Sequence, residues 1–527
     1  MDTINSSNNP RTTAGTSATA DALAMPEIVA AIAQHIHQSR HVATACLVSK
    51  AWNTLWTPIL WRDLDFDRKE DTLPHEFDRQ GQWVRNLTFD LAKDVHFALF
   101  EPHCRVLQGL NLGSCEITTE KLLPYLKHLS PTLRWLELES YAIEARSLFP
   151  VLSTHLHGLE YLNFSFPSYK GPSVLHIDAL LQLLYSCPSL KEIELMGVNL
   201  AIEIEDPNIL TDLDSADSHQ QQPTNIITDK NGRLEFLTLE SCVLSDTALT
   251  IILTLTSHLK SLIIARVRSL TDMGIQQIPA LCPQVSSLAL TNCPQLEPDT
   301  FSRLFMDKKE VWQLRYVDLA MSNIDDTALG VLVRDQGDFI EFLAIGRCQK
   351  ITDAGVEAIL RHCRRLESLS LYGLVQTTAA IMNGPQDRWA CWRTLERLDI
   401  RKLGVVDLEF RYAEDDPRIA RNRAAFAQIK HRVQQLPQLR KLAVGIFGLH
   451  AELLQGFGAQ VRLDTLNLRG LDPRGMGGEE LEVFRANYPG LKRLILHQGS
   501  LSHDTVLIPT LTRAGIAVIE GESHLWQ

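Results

Sequence analysis

A short apolar pattern, L-x-x-L-x-L, recurs along most of this 527-residue chain and limits what the chain can fold into. Fourteen copies begin at Leu107, Leu133, Leu159, Leu190, Leu234, Leu259, Val285, Leu314, Ile340, Leu366, Leu395, Leu439, Leu463 and Leu491. The commonest interval between successive copies is 26 residues, and two intervals are 44. One unit of this length cannot bury its apolar edge alone, so neighbouring units must stack into a repetitive, elongated fold.

Each repeat divides into a strand half and a helix half. In the strand half, alternation predicts that the fourth and sixth residues point into the core and that the third, fifth and seventh face solvent. In the helix half, Ser, Thr or Asp precedes apolar residues at helical spacing, which predicts capped helices within 244–253, 270–282 and 351–363. Prolines then reset the chain to an extended conformation, at Pro131, Pro188, Pro283, Pro437 and Pro489.

The copy CQKITDAGVEAILRHCRRLESLSL (348–371) resembles the cysteine-containing class of leucine-rich repeats, and the resemblance covers about residues 83–527. It implies an α/β fold, a horseshoe-shaped solenoid with a parallel sheet on the concave face and helices outside. Eight of the ten cysteines occupy two positions of the repeat, namely Cys115, Cys242, Cys293 and Cys348, and Cys104, Cys187, Cys282 and Cys363. Because copies in successive repeats do not converge on one point, we expect buried free thiols and no metal site.

Ahead of the repeats, a run of twenty residues (45–64) holds three of the nine tryptophans, Trp52, Trp56 and Trp61. The surrounding stretch, 24–66, predicts two helices and a turn, with Pro26 opening the first helix and Pro58 ending the second. About forty residues are too few to enclose three indole rings, so we expect the rings to need a neighbouring surface.

The segments MPEIV (25–29), CLVSKAW (46–52) and PILWRDL (58–64) together resemble an F-box, the helical module that docks substrate receptors onto the Skp adaptor of Skp–cullin–F-box ubiquitin ligases. By this resemblance the adaptor-binding residues are Met25, Pro26, Ile28, Val29, Ile32, Leu47, Val48, Trp52, Trp56, Leu60 and Trp61. The chain departs from the family at HIHQSRH (35–41), because the family usually has a segment of apolar and acidic residues ending in Asp-Leu between the helices. We expect these histidines to face solvent and not to bind a metal.

These features predict a disordered tail over 1–22, the F-box over 23–66, a linker over 67–82 and the repeats over 83–527. The two long intervals contain predicted inserts near 201–230 and 404–416. The first is predicted to be a solvated surface loop, with partner contact as the alternative. After the second, 414–436 predicts a lengthened repeat helix, with a basic regulatory helix as the alternative. The apolar face of this helix is predicted to consist of Ile419, Phe426, Ile429, Val433 and Leu436.

The solvent-facing strand positions change in character along the repeats. Early repeats place Glu137, Glu139, Glu192 and Glu194 there, middle repeats Phe236, Tyr316, Phe342 and Tyr372, and late repeats Arg397, Arg401, Lys441, Arg469 and Arg493. Aromatic and arginine side chains commonly dominate protein recognition, so we predict a substrate-binding face from these residues. The alternative is that exposed strand residues vary freely and that the order arises by chance.

Composition narrows the functional classes. Lys and Arg number 51 against 63 Asp and Glu, a net charge of −12, which is opposite to what phosphate binding favours. No apolar run suggests a membrane span or a secretory signal, and no nucleotide-binding, metalloprotease or nucleophile-elbow motif is found. We therefore expect a cytoplasmic or nuclear protein without cofactor, metal, nucleic acid or membrane partner, and without catalytic residues.

Three functional hypotheses follow. The first is a non-catalytic receptor whose F-box binds a Skp-type adaptor and through it a cullin, while the repeats bind a protein substrate. The second is a repeat scaffold in which the F-box-like segment only caps the solenoid. The third is that the late basic residues bind a phosphorylated small molecule or phosphopeptide.

Overall fold

The structure is a computed structural model that describes residues 25–33, 39–66, 77–90, 98, 100–140, 142–167, 171–202, 233–403, 417–445, 452, 455–458, 461–469, 478–496, 511–513 and 515–520. It has two compact units, Met1–Val198 (unit 1) and Asn199–Gln527 (unit 2). Within the described ranges, no helix has both the length and the apolar character needed to cross a membrane.

Unit 1 begins with three helices and continues with strands that alternate with helices. The helices are α1 (Pro26–Ala33), α2 (Ser39–Cys46), α3 (Lys50–Leu60), α4 (Phe77–Gln80), α5 (Thr119–His128), α6 (Ala145–His155) and α7 (Ile177–Ser186). The strands are β1 (Asp63–Phe66), β2 (Asn86–Asp90), β3 (Gly109–Cys115), β4 (Trp135–Ser140), β5 (Tyr161–Ser165), β6 (Ser173–His176) and β7 (Glu192–Met196). Strand β8 (Val198–Ala201) lies at the boundary between the units.

The sheet of unit 1 has parallel strands in the order β1-β2-β3-β4-β5-β7. Its register places equivalent repeat positions opposite one another, so that Leu136 pairs with Leu162 and Leu162 with Ile193. All three side chains are fully buried. Each such leucine contributes about 1.5–3 kcal/mol by its burial.

Unit 2 repeats the same alternation over a longer stretch. Its strands are β9 (Phe236–Glu240), β10 (Val243–Leu244), β11 (Ser261–Ala265), β12 (Ser287–Thr291), β13 (Tyr316–Asp318), β14 (Phe342–Ala344), β15 (Ser368–Ser370), β16 (Arg397–Arg401), β17 (Lys441–Gly445), β18 (Thr465–Arg469), β19 (Arg493–Leu496) and β20 (Ala517–Glu520). Its helices are α8 (Asp246–Leu255), α9 (Asp272–Ile275), α10 (Ile278–Leu281), α11 (Pro298–Phe305), α12 (Asp326–Gln336), α13 (Asp353–His362), α14 (Pro417–Gln434) and α15 (Gly478–Asn487).

Except for β10, which pairs with β8, these strands form one parallel sheet in sequence order from β9 to β20. The fourth-position side chains form an unbroken buried row through it: Leu237, Leu262, Leu288, Val317, Leu343, Leu369, Leu398, Leu442, Leu466 and Leu494. Helices α11, α12 and α13 pack side by side and bury their apolar faces. The predicted leucine-rich-repeat fold is confirmed, because parallel strands and helices alternate with the period of the sequence.

Proline has different effects at two predicted helices. Residues 270–282 form two short helices, α9 and α10, instead of one, because Pro279 has no N–H to continue the bonding from α9. In contrast, α3 runs past Pro58 to Leu60, with the N–H of Trp61 donating to the carbonyl of Thr57 at 3.1 Å. The prediction that Pro58 ends this helix was wrong, since packing of Trp56 and Leu60 against α1 and α2 outweighs one missing hydrogen bond.

A left-handed residue follows the strand at the same position of many repeats. The eighth position has φ between 45° and 60° in non-glycine residues, namely Ser114, Ser241, Arg266, Asn292, Met321, Arg347 and Lys402. This conformation is unfavourable for most side chains, so repeat stacking must hold the turn in place. The sequence pattern did not reveal this turn, because the seven positions carry five different residue types, which adopt this conformation only under tertiary constraint.

Several predicted segments lie outside the described residues. These are the tail over 1–22, most of the linker, the 404–416 insert, and the 201–230 insert apart from residues 201 and 202. The lengthened repeat helix is observed as α14, whose residues Phe426, Ile429 and Val433 are buried as predicted. The side chain of Ile419 is outside the described set.

Candidate interaction surfaces

The first candidate surface is the helical segment α1–α3. Val29, Val42, Ala45, Cys46 and Trp56 form its buried cluster. Ser49 caps α3 by accepting a hydrogen bond of 3.2 Å from the N–H of Trp52, and the Nδ2 atom of Asn53 donates to the carbonyl of Cys46 at 3.2 Å. These contacts fix the turn between α2 and α3.

That turn exposes apolar side chains. Leu47 is 85% exposed and Val48 is 61% exposed, while Met25 at the start of α1 is 51% exposed. Adjacent exposed leucine and valine side chains in a rigid turn are typical of an interaction surface. All three are residues to which the F-box resemblance assigns adaptor contact.

The remaining predicted adaptor residues are less accessible. Ile28, Ile32, Trp52, Leu60 and Trp61 are half-buried, and Val29 and Trp56 are buried. Trp56 is only 2% exposed, and its ring lies 6.0 Å from that of Trp52. The expectation that all three indoles need an outside surface was therefore wrong for Trp56, which the three helices enclose themselves. The side chain of Pro26 and the histidines His35 and His37 lie outside the described set.

The second candidate surface is the solvent side of the unit 1 sheet, where Glu137, Glu139, Glu192 and Glu194 are half-buried. Asn111 donates to Glu137 at 2.8 Å and Asn163 donates to Glu194 at 2.7 Å. The pKa values of Glu137 and Glu192 are both raised, mainly by burial and next by the negative charge of Glu194. The carboxylates thus repel one another on this face.

An aromatic pair lies beside these carboxylates. The rings of Trp135 and Tyr161, on neighbouring strands β4 and β5, meet edge to face with centroids 5.2 Å apart. Trp135 is an exposed side chain. Our sequence-based selection missed both, although both occupy the third strand position, and applying that rule to every repeat would have found them.

The third candidate surface is the solvent side of the unit 2 sheet. Tyr316 and Phe342 pair in register on β13 and β14, and their rings stack with centroids 4.1 Å apart and an angle of 6° between planes. Burial raises the pKa of Tyr316 to about 12, helped by the charge of Asp318. Phe236 is exposed on β9, at the same strand position.

Cations surround Tyr372 on this side of unit 2. The guanidinium carbons of Arg347 and Arg401 lie 4.9 and 5.0 Å from its ring centroid, and the Nζ atom of Lys402 lies 5.6 Å away. Arg347 also donates from Nη2 to the tyrosine hydroxyl at 2.9 Å. These are cation–π contacts, which stabilise the cations against the ring face.

Arg401 does not face solvent as the strand alternation predicts. It is buried and donates to both carboxylate oxygens of Asp399, from Nε at 2.9 Å and from Nη2 at 2.6 Å. A bidentate pair of this geometry compensates the charge of both groups within the chain. Arg401 therefore has a structural role. Other residues supply the accessible cations of this face.

Arg397, Lys441 and Arg493 are those other cations, and each is half-buried at the third strand position. Within the described part of the chain, none of the three forms an ion pair with a carboxylate. Arg493 donates from Nε to the hydroxyl of Thr465 at 3.2 Å. The side chain of Arg469 lies outside the described residues.

Burial affects the cysteine thiols of the described residues. Nine cysteines whose side chains the structure describes are free and buried, and burial raises the pKa of Cys104, Cys187, Cys282 and Cys391 to about 12. Such thiols are poor nucleophiles and poor metal ligands. Among the residues that the structure places, no group of three His, Cys, Asp or Glu side chains has the arrangement of a metal site.

Comparisons with known proteins complete the description. No protein family and no curated protein matches this sequence. Among solved structures, a chain in the complex of Rad7 and Elc1 from yeast is 16% identical, with 82% of this chain and 90% of that chain covered and a TM-score of 0.41. An internalin, inlF from Listeria monocytogenes, is 17% identical, with coverage of 84% and 88% and a TM-score of 0.30. At these identities and scores neither similarity indicates what this chain binds.

Proposed function

We propose that this chain is the non-catalytic substrate receptor of a Skp–cullin–F-box-type ubiquitin ligase. Helices α1–α3 dock a Skp-type adaptor, which links the chain to a cullin, and the solvent sides of the sheets bind a protein substrate. The mechanism is proximity: the receptor raises the effective concentration of a substrate lysine near a conjugating enzyme held elsewhere in the assembly. The protein then works in the cytoplasm or nucleus without a cofactor.

The observation that carries the proposal is the exposed turn between α2 and α3. Leu47 and Val48 are 85% and 61% exposed, although the helices around them have a well-formed apolar cluster of their own. Exposing two adjacent apolar side chains is unfavourable in an isolated protein, so a partner surface is the natural reason for them. The sequence resemblance to an F-box identifies the partner class.

Co-purification tests this proposal with the full chain. Leu47→Asp combined with Val48→Asp should remove adaptor and cullin from the purified complex, because the charges would have to be desolvated in the contact. Val483→Asp is a matched control, since Val483 is an exposed valine on α15. The proposal fails if the unaltered chain recovers no adaptor, or if the paired turn variant recovers as much as the control.

A second function, a scaffold with α1–α3 as a solenoid cap, is favoured by the way the segment joins the sheet. The carbonyl of Arg62 accepts hydrogen bonds from the N–H groups of Arg85 and Asn86, at 2.8 and 3.0 Å, and β1 extends the parallel sheet beside β2. A cap requires this continuity but needs no exposed Leu47. Under the scaffold hypothesis the paired turn variant leaves every co-purifying partner unchanged.

A further inference from the structure

One row of unit 2 side chains combines a half-buried, stacked ring pair with cations that have no carboxylate partner among the described residues. We infer that this row, the basic–aromatic strip formed by Tyr316, Phe342, Arg397, Lys441 and Arg493, binds an extended acidic segment of a partner protein. An apolar residue of that segment lies against the rings and its carboxylates meet the cations. The inference rests on the proposed function, in which the strand-lined side receives the substrate, and it adds the chemistry of the substrate segment.

The register of the sheet places these residues in one line. Tyr316 pairs with Phe342, Phe342 with Ser368, Ser368 with Arg397 and Arg397 with Lys441. Lys441 then pairs with Thr465, and Thr465 with Arg493. Parallel strands lie about 4.8 Å apart, so the five steps from Phe342 to Arg493 span roughly 24 Å. An extended chain covers that distance with about seven residues.

The cations of the strip differ from other cations of the unit. Arg266 pairs with Glu240, Arg315 with Glu341, and Arg401 with Asp399. Arg397, Lys441 and Arg493 have no carboxylate partner among the described residues, although the chain carries twelve more acidic than basic residues. Neighbouring like charges repel, and an arriving carboxylate relieves that repulsion.

The ring pair gives the strip a direction. Tyr316 and Phe342 stack on each other and lie at one end, whereas the three cations occupy the strands from β16 to β19. A segment with an apolar residue followed by acidic residues therefore fits in one orientation. Two uncharged residues interrupt the strip. Ser368 lies between the rings and Arg397, and Thr465 lies between Lys441 and Arg493.

Single-stranded nucleic acid also combines negative charge with stacking bases, but the observations favour a protein segment. The whole chain is negatively charged, by −12, which opposes the approach of a phosphate backbone with one charge per nucleotide. The two rings also stack on each other instead of standing apart as separate platforms for successive bases. A short segment with a few carboxylates meets less repulsion.

Fluorescence anisotropy with the full chain tests the inference. The probe is a fluorescein-labelled decapeptide with one phenylalanine near its amino end and five Asp or Glu residues after it, separated by glycines. We expect saturable binding that weakens about tenfold or more in Arg397→Glu combined with Lys441→Glu, and several-fold in Phe342→Ala. The matched control is Arg361→Glu combined with Arg421→Glu, since both arginines are exposed on helices of the same unit.

Four results would overturn the inference: no binding of the probe, equal weakening in the control, tighter binding of a twelve-nucleotide oligothymidine, or binding only when the acidic residues are replaced by phosphoserine. Adaptor co-purification is measured on the same preparations. If the unaltered chain recovers the adaptor but does not bind the probe, this inference alone is overturned. If the unaltered chain binds the probe but recovers no adaptor, the ligase proposal is overturned and the strip remains the binding site.

Discussion

Arg432 donates a hydrogen bond of 2.9 Å from Nη2 to the carbonyl oxygen of Gly384, and both residues belong to unit 2. The same guanidinium donates to the carbonyls of Met382 and Asn383 at 3.0 and 3.2 Å. The guanidinium carbon of Arg432 lies 5.0 Å from the ring centroid of Trp389. Burial, followed by the charge of Arg388, lowers the pKa of Arg432. A fully buried arginine thus fastens the loop 382–385 to α14.

Replacing this arginine should destabilise unit 2. Arg432→Met keeps much of the apolar stem but removes the guanidinium donor from the carbonyls of Met382, Asn383 and Gly384, so the free energy of unfolding should fall by about 2–4 kcal/mol. Arg421→Ala, at an exposed position of α14, should change it by less than about 0.5 kcal/mol. Urea unfolding followed by circular dichroism measures both. Equal effects would show that the buried hydrogen bonds contribute nothing.

The helical segment should separate stability from binding. Trp56→Ala empties a site inside the cluster of α1–α3 and should cost about 3–5 kcal/mol. Leu47→Ser removes an exposed side chain and should leave stability within about 0.5 kcal/mol, while it weakens adaptor binding. Thermal unfolding and co-purification together check this. A stable Trp56→Ala variant would contradict the enclosed position of the indole.

Successive repeats are linked by an aspartate and a threonine. Thr352 donates to Asp326 from its N–H at 2.9 Å and from Oγ1 at 2.6 Å, and Thr378 makes the same pair of bonds to Asp353, at 2.6 and 2.7 Å. A Cβ atom on Gly355 would clash with Oδ1 of Asp326. Glycine is needed there because the carboxylate of the preceding repeat occupies the space.

A double-mutant cycle can isolate this link. Gly355→Ala alone should lower the free energy of unfolding by about 1–3 kcal/mol, because the new methyl group displaces Asp326 from Thr352. In an Asp326→Ala background the same glycine change should be nearly neutral, giving a coupling energy of about 1–3 kcal/mol. Denaturant unfolding of the four proteins provides the measurement. Additive effects would exclude a direct clash.

The buried thiols should resist modification. Burial raises the pKa of Cys104, Cys187 and Cys282 to about 12, and that of Cys348 to about 11. At pH 8 the thiolate fraction is then on the order of one in a thousand or lower. We expect iodoacetamide to label these cysteines slowly in the native protein and fast in guanidinium chloride, as mass spectrometry of tryptic peptides would report. Fast native labelling would show that they are accessible.

The acidic side of unit 1 predicts a pH dependence. The pKa of Glu137 is raised in the folded state, so between the unfolded and folded pKa values the folded protein binds more protons. Stability contributed by Glu137 is therefore present at low pH and lost as the pH rises through its folded pKa. Glu137→Gln should stabilise the protein at pH 7 and lose this advantage near pH 4. A difference independent of pH would contradict the charge repulsion.

The periodicity of the sequence was sufficient for the architecture. Each L-x-x-L-x-L core became a strand with its fourth residue buried, and capped helices formed at Asp246–Leu255 and Asp353–His362 close to the predicted ranges. These features depend on local spacing and on capping side chains, which the sequence shows directly. The exception at Pro58 arose because tertiary packing compensates for a missing hydrogen bond.

The candidate surfaces were predictable only in part. The strand rule correctly identified Tyr316, Phe342 and Arg397 as lying on one side of the sheet, but it also selected Arg401, whose charge is paired with Asp399. It gave no indication that Arg432 is buried, because an arginine in a helix has the same local pattern whether water or a carbonyl cluster surrounds it. Pairing depends on which groups the fold places within about 3 Å of the charge.

The amino-acid sequence by itself determined the repeat length, the alternation of strand and helix, and which apolar side chains form the core, because these follow from spacing along one chain. Only the tertiary structure decided which charges remain unpaired, which tryptophan is enclosed and where a left-handed turn is held. Those outcomes depend on which groups the fold brings together, and the free energy of such contacts is set by distance and burial that no local pattern encodes.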